Sequence, residues 1–417
     1  MDMWRPSISN LLFVALAGIA IPASSEPVSD LWPQWRGPER DGRAGGAEWS
    51  DSLDGLQQEW RVELGPGYPG PIVAEDRVFV AETIDEKTEV VRALDRASGK
   101  ELWRKSWPGK GSVPFYAARN GDWIRSTPAY DGETLFVGGM NEMFFALDAE
   151  TGRERWRINF PQRFGTDIPD FGFSSSPLVD GDALYVQAAN SVIKLDKRSG
   201  QTIWRALAAS DSVFESGAFS SPVLGEVAGR TQLLVQTRTH LHGIAPDSGV
   251  VLWKHEVPNF RGMNILTPVP FGSGVFTSSY RNQSFFYELT RSGDGFDVRE
   301  AWSHKAKGYM STPVVIGDHA YMHMGNQRLT CINLKTGQSS WTTLPFDGAY
   351  WSMAVQGQKI LALDESGILL LIDADPKQFK LLDKRRVSDQ DAWAHVAVAG
   401  DQIFVREREA IAVYRWR

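Results

Sequence analysis

Cysteine is nearly absent: the 417 residues contain one, Cys331. A single cysteine cannot form a disulfide within the chain, so the fold must be stabilised by its core alone. The same scarcity excludes a c-type haem attachment motif and any zinc site built only from cysteines.

The sequence also lacks a hydrophobic run long enough to cross a bilayer. The apolar run from Leu11 to Ile21 is shorter than the roughly 20 residues that a spanning helix needs. Arg5 precedes this run and the small residues Ala23, Ser24 and Ser25 follow it. This pattern predicts a cleaved signal peptide over residues 1–25. No cysteine follows the signal, which favours a periplasmic or secreted protein over a lipoprotein.

Excess positive charge is missing as well. The formal net charge is -7, and the lysines and arginines are scattered along the chain. Nucleic acid is therefore not an expected partner. With 42% hydrophobic and 23% charged residues, the chain has the composition of a globular protein with a large core.

One short pattern recurs along the chain. The tryptophans that end its copies, with one looser copy at residue 302, stand at positions 103, 156, 204, 253, 302 and 341. A period of about 40 to 50 residues indicates the blades of a β-propeller. The five good copies read ALDRASGKELW (93–103), ALDAETGRERW (146–156), KLDKRSGQTIW (194–204), GIAPDSGVVLW (243–253) and CINLKTGQSSW (331–341).

Short apolar or alternating segments lie between the copies, and no helical period is present. RVFVAE (77–82) and ALYVQA (183–188) are examples. Proline, which is tolerated at the first residue of a strand, precedes most of these segments. The pattern predicts four short strands per repeat, with the proline marking where each innermost strand begins.

The two ends of the chain predict the number of blades. Residues 392–414 supply three strands after a decayed motif at 371–381, so the last blade lacks its outer strand. Residues 56–64 supply one strand before the first complete blade. The sequence therefore predicts, over residues 56–417, an all-β eight-bladed propeller of four-stranded antiparallel blades, closed by the N-terminal strand. Residues 26–55 are predicted to form an extended N-terminal segment.

The repeat itself is interpreted as a structural motif. Asp148 can hydrogen-bond backbone amides of its turn, and Gly152 can adopt a positive φ. Each tryptophan is expected to lie across the seam between two blades, with its indole N–H on a backbone carbonyl. Burial of one such ring contributes at most about 4 to 6 kcal/mol. The predicted blade-docking residues are Trp60, Trp103, Trp156, Trp204, Trp253, Trp302 and Trp341.

The consensus A-x-D-x-x-T/S-G-x-x-x-W resembles the tryptophan-docking repeat of the quinoprotein, or PQQ-repeat, propeller family. The resemblance covers nearly all of the chain after residue 25. It implies either of two functions: some members hold pyrroloquinoline quinone (PQQ), whereas a non-enzymatic member assists outer-membrane β-barrel assembly in bacteria. The run Trp32-Pro33-Gln34-Trp35-Arg36-Gly37-Pro38 is also similar to the opening of secreted PQQ-repeat proteins.

The chain departs from the quinone-binding members of that family. Those enzymes commonly carry a disulfide between adjacent cysteines, which one cysteine cannot form, and they are usually longer. Their Ca²⁺ site needs a carboxylate and an amide, and no matching Glu, Asn and Asp set aligns here. The expectation is thus a protein without catalytic residues, cofactor or metal. The alternative is a PQQ- and Ca²⁺-dependent dehydrogenase that oxidises an alcohol or sugar.

Long loops lead from the outer strand of one blade to the innermost strand of the next. Residues 105–124, 161–173 and 207–219 place aromatic and charged residues there, among them Phe115, Tyr116, Arg119 and Phe214. This composition is typical of a binding surface, although the rings could instead plug the channel and pack the loops. The candidate binding residues at this rim are Trp123, Arg125, Phe173, Phe219, Asn264, Tyr309, Trp351, Trp393 and His395.

The sequence as a whole predicts an exported scaffold that binds a ligand or partner at this rim. The expected partner is an envelope protein or an extracellular polymer, and the expected state is a monomer.

Overall fold

The computed structural model describes residues 1, 30–109, 113–114, 121–208 and 215–416. The predicted signal peptide and the loop residues Phe115, Tyr116, Arg119 and Phe214 lie outside the described residues, apart from Met1. No helix in this part of the chain is both long and apolar enough to cross a membrane.

Eight four-stranded antiparallel sheets form the protein, which confirms the predicted eight-bladed all-β propeller. Seven blades take their strands in chain order, from the innermost strand to the outermost. They are blade I, β2(Ile72–Val73), β3(Arg77–Ile84), β4(Thr88–Asp95), β5(Glu101–Pro108); blade II, β6(Ala129–Tyr130), β7(Thr134–Gly138), β8(Met143–Asp148), β9(Glu154–Asn159); blade III, β10(Leu178–Asp180), β11(Ala183–Ala188), β12(Ser191–Asp196), β13(Thr202–Ala206); blade IV, β14(Val223–Val227), β15(Arg230–Gln236), β16(His240–Ile244), β17(Val251–Glu256); blade V, β18(Val269–Phe271), β19(Gly274–Ser278), β20(Ser284–Ser292), β21(Gly295–His304); blade VI, β22(Val314–Ile316), β23(His319–His323), β24(Leu329–Asn333), β25(Ser339–Thr342); and blade VII, β26(Trp351–Gln356), β27(Lys359–Asp364), β28(Ile368–Asp373), β29(Lys380–Arg386).

Blade VIII joins the two ends of the chain. Its three inner strands are β30(Ala397–Ala399), β31(Gln402–Glu407) and β32(Ala410–Trp416), and its outer strand is β1(Leu56–Glu63). Strand β1 pairs antiparallel with β32, Leu56 opposite Trp416 and Glu63 opposite Ala410. The N-terminal strand therefore closes the ring as the sequence predicts.

The repeat motif spans the two outer strands of a blade. In blade II, Ala146 on β8 pairs with Trp156 on β9, and a register shift follows directly after Ala146. The equivalent pair and shift occur at Ala93 and Trp103 in blade I. The extra residue of a β-bulge bends the strand, so the same local sequence sets the same bend at the outer edge of successive blades.

The seam between two blades is formed by the tryptophan of one and the turn of the next. The indole N–H of Trp103 donates to the carbonyl of Ala149 at 3.0 Å, and that of Trp156 donates to the carbonyl of Lys197 at 3.0 Å. The glycine of the turn lies directly beneath the ring: a Cβ on Gly152 would stand 2.6 Å from Trp103 Cε3. Since Gly152 also has a φ of 71°, both its backbone conformation and the ring above it require the absence of a side chain.

Trp253 departs from this seam geometry. Its indole N–H donates to the side-chain carbonyl of Gln232 within blade IV, at 2.6 Å, and not to the next blade. Blade V has a longer outer hairpin, and Gly295 within it lies against the carbonyl of Leu252. The short turn that receives the other indoles is replaced there, so Trp253 bonds inside its own blade.

One short helix, α1(Phe160–Phe164), interrupts the strands and was not indicated by the sequence pattern. Asn159 caps it by accepting a hydrogen bond from the backbone N–H of Gln162, and Gly165 ends it with a φ of 65°. The helix lies in the loop from blade II to blade III, where a proline at its start suits the first helical turn.

Candidate binding site at the mouth of the channel

The two ends of the central channel differ in their connections. Loops from outer to innermost strands and the hairpins between second and third strands lie at one end, which is called the loop rim. The Thr-Gly and Ser-Gly turns, such as the one at Gly152 between β8 and β9, lie at the other end, which is called the turn rim. This arrangement follows from the antiparallel order of each blade.

Residues 32–46 enter the channel and pair with its wall; they are called the channel segment. Trp32 exchanges two backbone hydrogen bonds of 2.9 Å with Val73 of blade I. Ala44 donates to the carbonyl of Val355 of blade VII at 2.8 Å. The sequence predicted only an extended segment here, and the innermost strands give it its backbone partners.

Side chains of the channel segment reach blades on opposite sides of the ring. Arg36 Nη2 donates to the carbonyl of Pro313 at blade VI, at 2.6 Å, while the carbonyl of Pro33 accepts from Tyr130 N of blade II. Arg40 Nη1 donates to the carbonyl of Pro177 at blade III, at 2.5 Å. Because blades II and VI face each other across an eight-membered ring, the segment crosses the channel.

The two arginines are buried without a salt bridge to a carboxylate in the part of the chain that the structure describes. Arg36 is 2% exposed and Arg40 is 1% exposed. Burial lowers the pKa of Arg36 to about 10. Burial and the positive charge of the neighbouring Arg36 together lower the pKa of Arg40 to about 9. Both guanidinium groups lie 5.6 Å from the ring of Trp35. The ring face and the backbone carbonyls together compensate the two charges.

His395 packs against this buried group and not at the open rim. Its ring stacks on Trp32 with centroids 6.3 Å apart and meets Trp35 edge-on at 5.9 Å. Burial and the charge of Arg36 lower the pKa of His395 to about 3. The imidazole is therefore neutral near pH 7 and is buried below the loop rim.

A cavity of about 260 Å³ opens at the loop rim, and it is called the mouth cavity. Three of the predicted rim residues, Trp123, Tyr309 and Trp393, line it. They come from the loops before blades II, VI and VIII, so the cavity collects rings from distant parts of the sequence. The remaining lining residues are Gly67, Tyr68, Asp391 and Arg408.

Ring contacts hold the mouth cavity in shape. Tyr68 meets Trp123 at a centroid distance of 5.6 Å and Trp393 at 6.2 Å. Trp393 stacks on the buried Tyr350 at 5.8 Å with planes 10° apart. The guanidinium of Arg125 lies 5.3 Å from the ring of Tyr68. Packed aromatic walls of this kind cost little entropy on binding, because their rotamers are already fixed.

The cavity also carries one ion pair, between Asp391 and Arg408. Both side chains are nearly half exposed, at 45% and 44%, so the pair contributes little to stability. Burial lowers the pKa of Arg125, whose Nη2 donates to the carbonyl of Gly121 at 2.7 Å. The cavity thus presents apolar faces with charged groups at its edge.

Four predicted rim residues are packed against other side chains or loops and do not line the mouth cavity. Trp351 is fully buried between His323 and Phe346, with ring centroids 4.6 and 4.7 Å away. Asn264 is fully buried and donates to the carbonyl of Arg238. In this conformation their contacts support the loops. Phe173 packs in the same way against Phe144, and Phe219 lies beneath the guanidinium of Arg238.

Gly67, Tyr68 and Arg408 line the cavity and were missed at the sequence level. Gly67 and Tyr68 lie in the run GPGYPG (65–70), and its place before the first innermost strand was the available signal. Arg408 lies in the hairpin between β31 and β32. Hairpins between second and third strands reach the same rim as the long loops, and the prediction considered only the loops.

The mouth cavity does not fit the Ca²⁺–quinone arrangement. Among its lining residues the only carboxylate is Asp391, which is bound to Arg408, and no side-chain amide is present. Asn264, an amide at this rim, is buried outside the lining. In the described ranges, no group of three or more His, Cys, Asp and Glu residues converges. The described residues therefore offer no donor set for the metal.

Comparison with known proteins places the chain in a family. The family model described as "Outer membrane protein assembly factor BamB" matches residues 87–343. The chain belongs to this family of PQQ-repeat propellers. It is 20% identical over 374 residues to the outer membrane protein assembly factor BamB of Shewanella oneidensis, covering 84% of this chain and 86% of the relative.

Solved structures of both a BamB protein and a quinohemoprotein dehydrogenase share the fold of this chain. BamB from Moraxella catarrhalis superposes with a TM-score of 0.61 at 15% identity, covering 87% of this chain and 98% of that chain. The quinohemoprotein alcohol dehydrogenase ADHIIG from Pseudomonas putida HK5 superposes with a TM-score of 0.63 at 12% identity, covering 94% and 80%. At these identities the similarity establishes the propeller and does not choose between binding and catalysis.

Proposed function

We propose that the protein is an exported propeller scaffold that binds a protein partner of the cell envelope through its loop rim. The observation that carries this proposal is the mouth cavity, where Tyr68, Trp123, Tyr309 and Trp393 form one aromatic wall. Buried and half-buried aromatic anchors at the centre of a surface are typical of binding hot spots. Membership of the BamB family supports an assembly role for this surface.

The asymmetry of the channel supports the choice of rim. The channel segment crosses the channel between opposite blades, and its arginines donate to backbone carbonyls that directly precede the innermost strands of blades VI and III. The loop rim keeps a cavity of about 260 Å³ with aromatic walls and charged edges, whereas the cavity of about 300 Å³ beside Arg36 and Arg40 has no aromatic residue in its lining. A partner side chain can enter there without displacing any part of the fold.

Site-specific photo-cross-linking tests the proposal. A benzophenone amino acid replaces Tyr309 at the mouth cavity, and a matched variant carries it in place of Arg198, an exposed turn-rim residue. The expected result is a discrete adduct with an envelope protein from position 309 and none from 198. Equal labelling from both positions would contradict a binding rim.

The enzymatic alternative is tested on the purified protein. PQQ and Ca²⁺ are added, and quinone absorbance that remains after gel filtration is measured together with dye-linked oxidation of alcohols and sugars. The scaffold proposal expects neither. Stoichiometric quinone with turnover would replace it with a quinoprotein dehydrogenase.

A further inference from the structure

The loop rim of blades V and VI carries a row of aromatic rings that leads into the mouth cavity. Phe260 meets Tyr280 edge-on at 6.3 Å, and Tyr280 meets Tyr309 at 5.3 Å with planes 37° apart. Tyr309 in turn lines the mouth cavity. Phe260, 37% exposed, is the outer end of this row, so the rings form a track from the outside of blade V to the channel.

Positive charge accompanies this track. Arg281 places its guanidinium 5.2 Å from the rings of both Phe260 and Tyr280, and Arg261 lies 5.2 Å from Phe260. Lys305 and Lys307 are exposed in the loop immediately before Tyr309. These four cations and the two rings Phe260 and Tyr280 are called the basic rim sector.

The two chain segments that carry the basic rim sector contain no negatively charged residue. Residues 257–287 and 301–317 contain no Asp or Glu, although the whole chain has 51 of them and a net charge of -7. Within the described residues, none of the four cations of the basic rim sector forms a salt bridge. A surface of one sign on a protein of the opposite sign steers an oppositely charged partner.

The backbone holds the two arginines at fixed positions. Arg261 has a φ of 54° and Arg281 a φ of 59°, in the left-handed region that is strained for a residue with a Cβ. Strain of this kind persists only where the surrounding structure determines the conformation, and it gathers at ligand-binding positions. The positions of the two guanidinium groups are given by their contacts with the rings of Phe260 and Tyr280.

We propose that the basic rim sector binds an acidic, extended peptide segment of the partner, with a large apolar side chain entering the mouth cavity. Arginine forks bind carboxylates in a bidentate geometry, and Arg261 and Arg281 form no salt bridge with a carboxylate of the described residues. A sugar polymer fits less well, because the guanidinium groups already occupy ring faces that a sugar would stack on. This inference rests on the proposed binding function and identifies the chemistry of its partner.

Fluorescence anisotropy with a short labelled peptide of alternating Glu and Ser that ends in Phe tests the inference. The wild-type protein is expected to bind it, and the double variant Arg261→Gln/Arg281→Gln to bind it about tenfold more weakly, since two exposed charge pairs are lost. Raising the ionic strength should weaken wild-type binding and reduce the difference between the proteins. The matched control, Arg198→Gln/Lys335→Gln, removes two exposed turn-rim cations and should bind like wild type.

Other ligands serve as competing outcomes. The same peptide with Lys in place of Glu, an oligoglucuronate, and vesicles of anionic phospholipid are measured alongside. Unchanged peptide affinity in the Arg261→Gln/Arg281→Gln variant, or binding of the glucuronate or vesicles without the peptide, would overturn the inference. If an adduct still forms at position 309 in cells while the peptide does not bind, the inference fails and the proposed function stands.

Discussion

Replacement of Gly152 by alanine tests whether the repeated glycine exists to receive the tryptophan of the preceding blade. Gly152 has a φ of 71°, and a Cβ there would lie 2.6 Å from Cε3 and 2.8 Å from Cδ2 of Trp103. The backbone conformation alone costs alanine about 1 to 2 kcal/mol. Overpacking against the half-buried ring adds about 1 to 3 kcal/mol. We therefore expect Gly152→Ala to lower the free energy of unfolding by about 2 to 5 kcal/mol.

Gly181 provides the matched control. It stands in the turn between β10 and β11 with a φ of 53°, and nothing lies within 4 Å of a Cβ built there. Gly181→Ala therefore carries the conformational cost and no overlap. The difference between the two variants, about 1 to 3 kcal/mol, belongs to the contact with Trp103. With a urea m-value of about 3 kcal/mol/M for a large domain, the midpoints should differ by about 0.3 to 1 M.

Urea unfolding followed by far-UV circular dichroism measures both variants. A double variant, Trp103→Leu/Gly152→Ala, completes the cycle, because removal of the ring should remove the extra cost of the methyl group. Equal losses in Gly152→Ala and Gly181→Ala would refute the reasoning. The same conclusion would follow from an absence of coupling between Trp103 and Gly152.

Two further predictions concern the channel and the loop rim. Trp32→Ala should lower the free energy of unfolding by about 3 to 5 kcal/mol, because Trp32 is 1% exposed although it belongs to no blade. The control Glu48→Ala changes an exposed residue nearby and should have almost no effect. An equally small effect of Trp32→Ala would contradict the packing of the channel segment against the blades. Burial lowers the pKa of His323 to about 3. Below the usual histidine pKa of about 6.5, the unfolded chain binds a proton at His323 that the folded chain does not bind. The free energy of unfolding therefore decreases as the pH is lowered. Between about pH 7 and about pH 4.5 the wild type should therefore lose about 2 to 3 kcal/mol more than His323→Leu; identical pH profiles in urea unfolding would show that His323 is not buried in its neutral form.

The fold could be predicted because one local pattern repeats. The pairing of Trp156 with Ala146 and the positive φ of Gly152 depend on interactions within one motif. Strand β1 was identified by counting strands at the two ends of the chain, because the last blade lacked its outer strand. Trp253 does not donate to the next blade, because blade V has a longer hairpin in place of the standard turn. The repeated motif thus predicted the propeller. The prediction was wrong for Trp253, because its hydrogen-bond partner depends on the sequence of another blade.

The site could be predicted only in part, for a related reason. Trp123, Tyr309 and Trp393 were identified from their loops, but their convergence on Tyr68 depends on how the ring closes. Trp351 has the same sequence context and turns inward between two rings. Chain position says which rim a loop reaches. Burial of a particular side chain depends on neighbours from other blades.

The channel segment connects these observations to function. A motif repeated around the ring gives every seam nearly the same chemistry, so specificity must come from residues that are not repeated. Arg36 and Arg40 donate to carbonyls that directly precede the innermost strands of blades VI and III. Tyr350 stacks on Trp393 in the wall of the mouth cavity. The channel and the cavity wall are thus held by residues that the repeat does not contain. A partner that binds at the mouth cavity therefore contacts residues that are particular to this chain and are not part of the shared propeller repeat.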